Sequence, residues 1–423
     1  MKRILGVLIL TGIVLAFAMA TGFSLFTRLF YVLILAVALG YVWAWLNLMW
    51  LEVQVDRRTS RISVGQQLVE RITVRNRGWT PKPWVEVMEL TNLRGHHAGR
   101  TISLPAKGFR SWRTATRATR RGVYYWGPLR IATGDPFGLF RLERFRSESQ
   151  QVVVLPAAVP LSHFVILSSD MQSDGAKHQR SYQVATDAAS VREYMPGDSV
   201  SRVHWPSSAR LGSLMVKEFD IGLASDIWIL LDLEGSVQAD DEEDSTDELA
   251  VTAAASIARH FLDQRLRVGL AVNGEELALL PPDRGHIQDA RILDLLARAK
   301  AEGTTPLVDA IANLDLSLEN GATLVIITPS PNDRWVSALG TLAHRNIRLA
   351  VVLVDGVTFG GDRSPELLLP ALAGLGIPGY LVGKGDNLAN ALDHPSSAKW
   401  DGYARAAETP NLARKGTPSW PSE

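Results

Sequence analysis

One stretch concentrates the side chains that do acid–base, nucleophilic and ion-pair chemistry: Val191 to Phe219, VREYMPGDSVSRVHWPSSARLGSLMVKEF. It sets Arg192, Glu193, Asp198, Arg202, His204, Arg210, Lys217 and Glu218 among Tyr194, Trp205 and Phe219. Irregular segments more often carry small polar residues. Three chemistries fit. In a structural network, Pro196-Gly197-Asp198 makes a tight turn, and Arg192, Arg202 and Arg210 pair with Glu193, Asp198 or Glu218. Trp205 then anchors the segment in a core. As a surface, the clustered arginines would recognise phosphate or carboxylate on a partner, although no Gly-rich phosphate loop accompanies them. As a hydrolase, His204 would act as general base, Asp198 would orient it, and Ser207 or Ser208 would be the nucleophile. No nucleophile-elbow motif supports that last reading. The missing motifs favour the network, a hinge between the two domains described next.

At 423 residues the chain is too long for one ordinary core, so two or three units are expected. The formal charge of zero hides an asymmetry. Residues 52–156 hold 19 Lys and Arg against 8 Asp and Glu, whereas residues 157–423 hold 22 against 36. A basic block followed by an acidic one suggests domains with different partners, or partners for each other. The absence of cysteine excludes thiol catalysis, disulfides and Cys-ligated zinc.

Residues 1–51 contain two uncharged apolar runs, Ile4–Thr27 and Leu29–Leu51, each long enough to span a bilayer as a helix. Lys2 and Arg3 precede the first, Arg57, Arg58 and Arg61 follow the second, and Arg28 alone separates them. The positive-inside rule then expects a multi-pass hairpin in a bacterial-type inner membrane, with the soluble domains facing the cytoplasm. Tyr41, Trp43, Trp45 and Trp50 are placed as an interfacial belt. A cleaved signal peptide ending near Ala18-Met19-Ala20 is the competing reading, and the second apolar run argues against it.

Residues 52–156 read as an all-β, sandwich-like domain. Leu68, Ile72 and Val74 alternate with Arg71, Thr73 and Arg75, and Asn76-Arg77-Gly78 turns the chain. Further strands are expected at Trp84–Leu90, Arg110–Arg120 and Val152–Leu155. The arginines form either a solvated face or a contact for anionic lipid headgroups. Nucleic acid is not an expected partner, because no reading motif is present.

Residues 224–394 alternate apolar strands with helical segments, beginning with strand Ile227–Leu233 and helix Leu249–Leu266. That pattern predicts an α/β domain with a mostly parallel sheet, whose ligands would sit at the carboxyl ends of the strands. The acidic run Asp240–Asp244 reads as a solvated loop leading into a helix, or as a docking surface for a basic partner. Residues 395–423 read as a disordered tail. At the carboxyl edge, Asp232-Leu233-Glu234-Gly235-Ser236 and Gly303-Thr304-Thr305 resemble the adhesion site of the von Willebrand factor A-type fold. The resemblance implies a divalent cation such as Mg²⁺, with Asp232, Ser236 and Thr305 as ligands. Glu234 replaces a serine of that pattern, and Pro329 stands where a second aspartate is usual.

Residues 157–223 join the two domains and carry the opening stretch. Arg192-Glu193-Tyr194-Met195-Pro196-Gly197-Asp198, Arg202-Val203-His204-Trp205, Ser207-Ser208-Ala209-Arg210 and Val216-Lys217-Glu218-Phe219 resemble the signature of the domain-of-unknown-function-58 family. Arg121-Gly122-Val123-Tyr124 and Gly134-Asp135-Pro136-Phe137-Gly138-Leu139-Phe140 also resemble that family's pattern, as does the order of parts. His204 departs from the acidic or amide residue usual before the tryptophan. The resemblance singles out Arg192, Tyr194, Gly197, Asp198, Arg202, Trp205, Ala209 and Arg210. It implies a membrane-anchored, non-catalytic adaptor that works with a MoxR-type AAA+ ATPase in envelope or complex assembly. A cation-dependent binding module and a serine/histidine hydrolase remain the alternatives.

Overall fold

A computed structural model describes residues 2–57, 59–146, 149–164, 190–193, 205–218, 226–241 and 244–399. The chain divides into two compact units, Met1–Leu155 and Pro156–Glu423.

The first unit opens with helices α1 (Lys2–Thr21) and α2 (Ser24–Leu48). Arg3–Thr21 and Ser24–Leu48 have mean hydropathies of 2.5 and 2.2, and both are long and apolar enough to cross a membrane. Leu5, Ile9, Phe17, Leu35 and Leu39 lie exposed on them, an apolar surface larger than water-soluble chains usually leave open. Nine strands follow: β1 (Leu51–Arg57), β2 (Arg61–Ser63), β3 (Gln67–Asn76), β4 (Lys82–Thr91), β5 (Arg100–Leu104), β6 (Phe109–Arg117), β7 (Gly122–Gly134), β8 (Arg141–Arg146) and β9 (Gln150–Leu155). They form one sheet in the order β1-β3-β6 and another in the order β2-β9-β7-β4-β5, with β8 paired to β7. Among the described residues the pairings are antiparallel, except that β2 runs parallel to β9.

Period-two alternation builds the core between these sheets. In β3, Leu68, Glu70, Ile72 and Val74 are buried while Arg71 and Arg75 are exposed. Ile72, Val74 and Trp112 pack with Val85, Val87, Leu129 and Ile131 of the other sheet. Each such side chain contributes about 1.5–3 kcal/mol by leaving water.

The last turns of α2 dock on this body. After β7, the Asp135 carboxylate accepts from the Phe137 and Phe140 amides at 2.8 and 2.6 Å, which folds the Gly134–Phe140 loop back on itself. The Phe140 ring meets Tyr41 at 5.4 Å, and a Cβ on Gly40 would lie 3.5 Å from the Phe140 ring. Buried Lys82 donates to the Leu46 carbonyl, one of the carbonyls left open at the end of α2, and to Thr80 Oγ1 at 3.0 Å. Its ammonium lies 5.6 Å from the Trp50 ring centroid, and burial lowers its pKa. Tyr41 and Trp50, expected in an interfacial belt, therefore have protein partners. Those partners come from the start of β4 and the loop after β7, both far from α2 in the chain.

The second unit contains β10 (Ser190–Glu193), α3 (Trp205–Leu211), β11 (Met215–Glu218), β12 (Ile227–Asp232), α4 (Thr246–Asp263), β13 (Val268–Asn273), β14 (Leu277–Asp283), α5 (His286–Arg298), α6 (Leu307–Asp315), β15 (Thr323–Thr328), α7 (Arg334–His344), β16 (Arg348–Val354), α8 (Leu369–Gly374), β17 (Gly379–Val382) and α9 (Leu388–Ala391). Six strands form a mixed sheet in the order β14-β13-β12-β15-β16-β17. β12 runs parallel to β13 and β15, β16 runs parallel to β15 and β17, and β14 is antiparallel to β13. Every residue of β12, β13 and β15 is buried, which accounts for their unbroken apolar runs. Trp228 and Leu230 share a core with Ile311 and Leu314 of α6 and with Trp335 and Leu339 of α7. Residues 156–164 run along α4, where the Val159 amide donates to Ser256 Oγ at 2.9 Å and the Phe164 ring lies 5.9 Å from Phe261.

Candidate functional site

The carboxyl edge of the mixed sheet gathers three strand-terminal polar residues. Asp232 ends β12, Asn273 ends β13 directly opposite it, and Thr328 ends β15. All three are fully buried. Asp232 Oδ2 accepts from the Thr328 hydroxyl at 2.7 Å, and Oδ1 accepts from Asn273 Nδ2 at 3.2 Å and from the Glu234 amide at 3.1 Å. Asn273 Nδ2 also donates to the Thr305 carbonyl at 2.9 Å. The following loops are stitched through their backbones: the Gly235 amide donates to the Gly303 carbonyl at 2.8 Å, and the Gly303 amide to the Leu233 carbonyl at 3.2 Å. Burial pushes the Asp232 carboxyl up to about 6, against the opposing pull of the Thr328, Glu234 and Asn273 hydrogen bonds.

The fold brings Asp232 and the Thr305 loop together, while the Ser236 hydroxyl turns away to donate to the Glu234 carboxylate. A hard cation needs a shell of oxygen acceptors. Here hydrogen-bond donors meet both oxygens of Asp232, and the Asn273 amide bridges Asp232 to the Thr305 carbonyl. Residues in this arrangement do not fit Mg²⁺. Thr328, immediately before Pro329, supplies a hydroxyl to the aspartate near the place where the cation-binding pattern has a second carboxylate.

Outward from this bracket the edge is acidic. Asp240, Asp241 and Asp244 are exposed. Lys384, beyond β17, reaches Asp241 at 2.7 Å and Asp244 at 3.9 Å, so loops following two different strands share one rim. Asp247 and Glu248 occupy the first turn of α4, where negative charge is favourable.

Within the stretch from 191 to 219, residues 191–193 and 205–218 are described, and most of these lie in regular elements. β10 and β11 form an antiparallel pair with Arg192 opposite Val216 and Glu193 opposite Met215, and Trp205, Ala209 and Arg210 lie on the short helix α3. Trp205 is 61% exposed, so it does not anchor α3 in a core; Ser208 is buried. Its Oγ accepts from the Met215 amide at 2.8 Å and approaches the Met215 carbonyl at 3.4 Å. A hydroxyl held this way positions β11. Ser208→Ala should lose about 1 kcal/mol of stability and speed exchange of the Met215 amide. Labelling of Ser208 by a fluorophosphonate would instead support the hydrolase. Tyr194, Gly197, Asp198, Arg202 and His204 lie outside the described residues.

A second constellation, unremarked in the sequence, lies inside the first unit. Glu70 of β3, Glu89 of β4 and His96 between β4 and β5 converge with side chains at most 1% exposed. His96 Nε2 lies 2.8 Å from Glu89 Oε2 and 3.2 Å from Glu70 Oε1, while Nδ1 bonds Thr116 Oγ1 at 2.8 Å. Arg57 pairs with Glu89 and lies 3.6 Å from Glu70, and Trp126 Nε1 donates to Glu89 Oε2 at 3.2 Å. Burial alone would lower the imidazole pKa, but hydrogen bonding to the two carboxylates and their charges raise it to about 9. Burial raises Glu70. Burial also acts upward on Glu89, but its bonds to His96 and Glu70 and the Arg57 charge bring it below its ordinary value. The signal was available: Glu70 occupies an inward position of the alternating series 68, 70, 72, 74, where a charge requires a partner.

Comparison with known proteins bears on part of this architecture. Residues 190–358, from β10 to just beyond β16, match the family described as "Protein of unknown function DUF58". The "Uncharacterized protein YeaD" of Bacillus subtilis (strain 168) is 27% identical over 311 residues, which cover 71% of this chain and 75% of that protein. Among solved structures, the CARDB domain of the PF1109 protein from Pyrococcus furiosus is 18% identical over 25% of this chain and 91% of its own, with a TM-score of 0.19. The C-terminal domain of wzt is 12% identical over 26% of this chain and 75% of its own, also at 0.19. Overlap that slight carries no argument about function. The family match spans β10, α3, β11 and most of the mixed sheet.

Proposed function

We propose that this protein is a membrane-anchored, non-catalytic interaction module. The apolar pair α1 and α2 holds it in a bilayer as a multi-pass hairpin with the soluble units on the cytoplasmic side, and the carboxyl edge of the mixed sheet is its docking face. In this reading the second unit is a von Willebrand factor A-like domain that has exchanged its cation for an internal hydrogen-bond bracket. The observation that carries the proposal is the use made of Asp232: its carboxyl is consumed in holding the edge loops together, and the exposed carboxylates of the 240–244 loop form the rim beyond it. A bracketed acidic rim suits a partner with a basic surface. The domain-of-unknown-function-58 resemblance makes a MoxR-type AAA+ ATPase the partner of choice.

A detergent pull-down with the full chain tests this. Wild type should recover the ATPase, and the recovery should weaken with salt. Asp240→Lys combined with Asp244→Lys should lower it at least tenfold with the melting temperature unchanged. Equal recovery by the charge-reversed chain would remove the acidic rim from the interface. Failure of wild type to bind the ATPase in any nucleotide state would remove that partner.

A further inference from the structure

The Glu70–Glu89–His96 constellation lies in the other unit and is independent of the proposed docking face. Its three candidate ligand atoms lie within 4.8 Å of one another. The single bond from Nδ1 to Thr116 fixes the ring so that Nε2 points between the two carboxylates. A proton on Nε2 can bond well to one carboxylate, and Glu89 at 2.8 Å is the better placed. Glu89 also receives Arg57 and Trp126. Glu70, wholly inaccessible to water, keeps only the longer share of that proton, at 3.2 Å from Oε1, and the Arg57 guanidinium at 3.6 Å from Oε2. A buried carboxylate held only by such long contacts is among the more costly groups a fold can keep.

We propose that Glu70 Oε1, Glu89 Oε2 and His96 Nε2 bind a divalent transition metal, with Zn²⁺ the best chemical match. A cation between them would serve all three ligands at once, including Glu70, which otherwise shares His96 and Arg57 with Glu89. One imidazole nitrogen with two carboxylate oxygens suits Zn²⁺, Mn²⁺ or Fe²⁺ better than Mg²⁺, which prefers oxygen alone and retains several waters. The buried setting favours the low coordination number of Zn²⁺. The surrounding contacts have the form of a supporting outer shell. Thr116 orients the imidazole, and Arg57 and Trp126 occupy the remaining acceptor capacity of Glu89. In binding, Nε2 gives up any proton it carries to solvent, and the metal takes the lone pair.

The test uses the full chain in detergent, stripped with chelator and then supplied with Zn²⁺ or Co²⁺ alone. One equivalent of metal should be retained after desalting, Zn²⁺ should raise the melting temperature, and Co²⁺ should give the visible absorption of a low-coordinate site. His96→Gln should abolish all three. Glu70→Gln, which preserves shape, should do the same and guards against a His96 variant that fails to fold. Thr116→Val should weaken Zn²⁺ about 10- to 100-fold, as loss of an orienting partner does. Several results would overturn the proposal. They are a wild-type chain that retains no metal with an unchanged melting temperature, variants that bind as well as wild type, or nitrogen NMR showing a protonated Nε2 in the presence of Zn²⁺. The last would make a proton the occupant.

Discussion

Gly303→Ala lowers the melting temperature of the second unit by on the order of 10 °C. A Cβ at this position would lie 2.6 Å from the Gly274 carbonyl oxygen and 3.0 Å from that of Leu233. Both neighbours are backbone, so no side chain can swing aside. The loop between α5 and α6 that carries Gly303 must part from the loops after β12 and β13, loosening the Gly235–Gly303 and Gly303–Leu233 hydrogen bonds. Overpacking of this kind costs about 1–3 kcal/mol, and each weakened bond adds about 1 kcal/mol. At about 2–4 °C per kcal/mol for a unit of this size, a clear shift results. Gly340→Ala is the control, since its added Cβ meets nothing within 4 Å in α7. It should be neutral or slightly stabilising. A Gly303→Ala chain that melts with wild type would mean that these loops stand apart in solution.

Asp232→Asn makes the protein more stable at pH 7.5, by up to about 3 kcal/mol, and the gain vanishes near pH 4. The carboxyl has a folded-state pKa of about 6 against an ordinary value of 3.8. Between those values the folded chain holds a proton that the unfolded chain has released. The stability that this group contributes is therefore fully present below about pH 4 and is lost as pH rises through 6. Two pKa units correspond to about 3 kcal/mol. The amide keeps the acceptor for Asn273 and the Glu234 amide, while the Thr328 hydroxyl turns from donor to acceptor. Melting curves of both proteins from pH 4 to 8 read the difference directly. A variant less stable than wild type at pH 7.5 in Mg²⁺, but not in chelator, would show that a cation sits on Asp232 after all.

How much of this was legible in sequence depends on the range of the interaction. The apolar stretches within Ile227–Leu233 and Thr323–Thr328 identified buried strands, now β12 and β15, because burial on both faces demands them. The alternation of Leu68, Ile72 and Val74 located β3 and its inward face. α3 was less visible: seven residues, Trp205–Leu211, are too few to show a helical period against the charges around them. The same charges invited a core role for Trp205, which the fold leaves exposed. The Glu70–Glu89–His96 cluster escaped because its members are separated in the chain and join only when two sheets face each other.

The sequence by itself determined two apolar helices, a β-rich unit and an α/β unit. Those features follow from periodicity and composition, which act between near neighbours; Asp232, Ser236 and Thr305 were singled out only by a resemblance. Tertiary structure alone decided what the polar residues do. It turned Ser236 to Glu234, filled the space beside Asp232 with the Asn273 amide, and assembled two carboxylates and an imidazole in the dark of a sandwich. Hydrogen bonds and ion pairs act over about 3 Å, and only the folded chain brings distant residues that close.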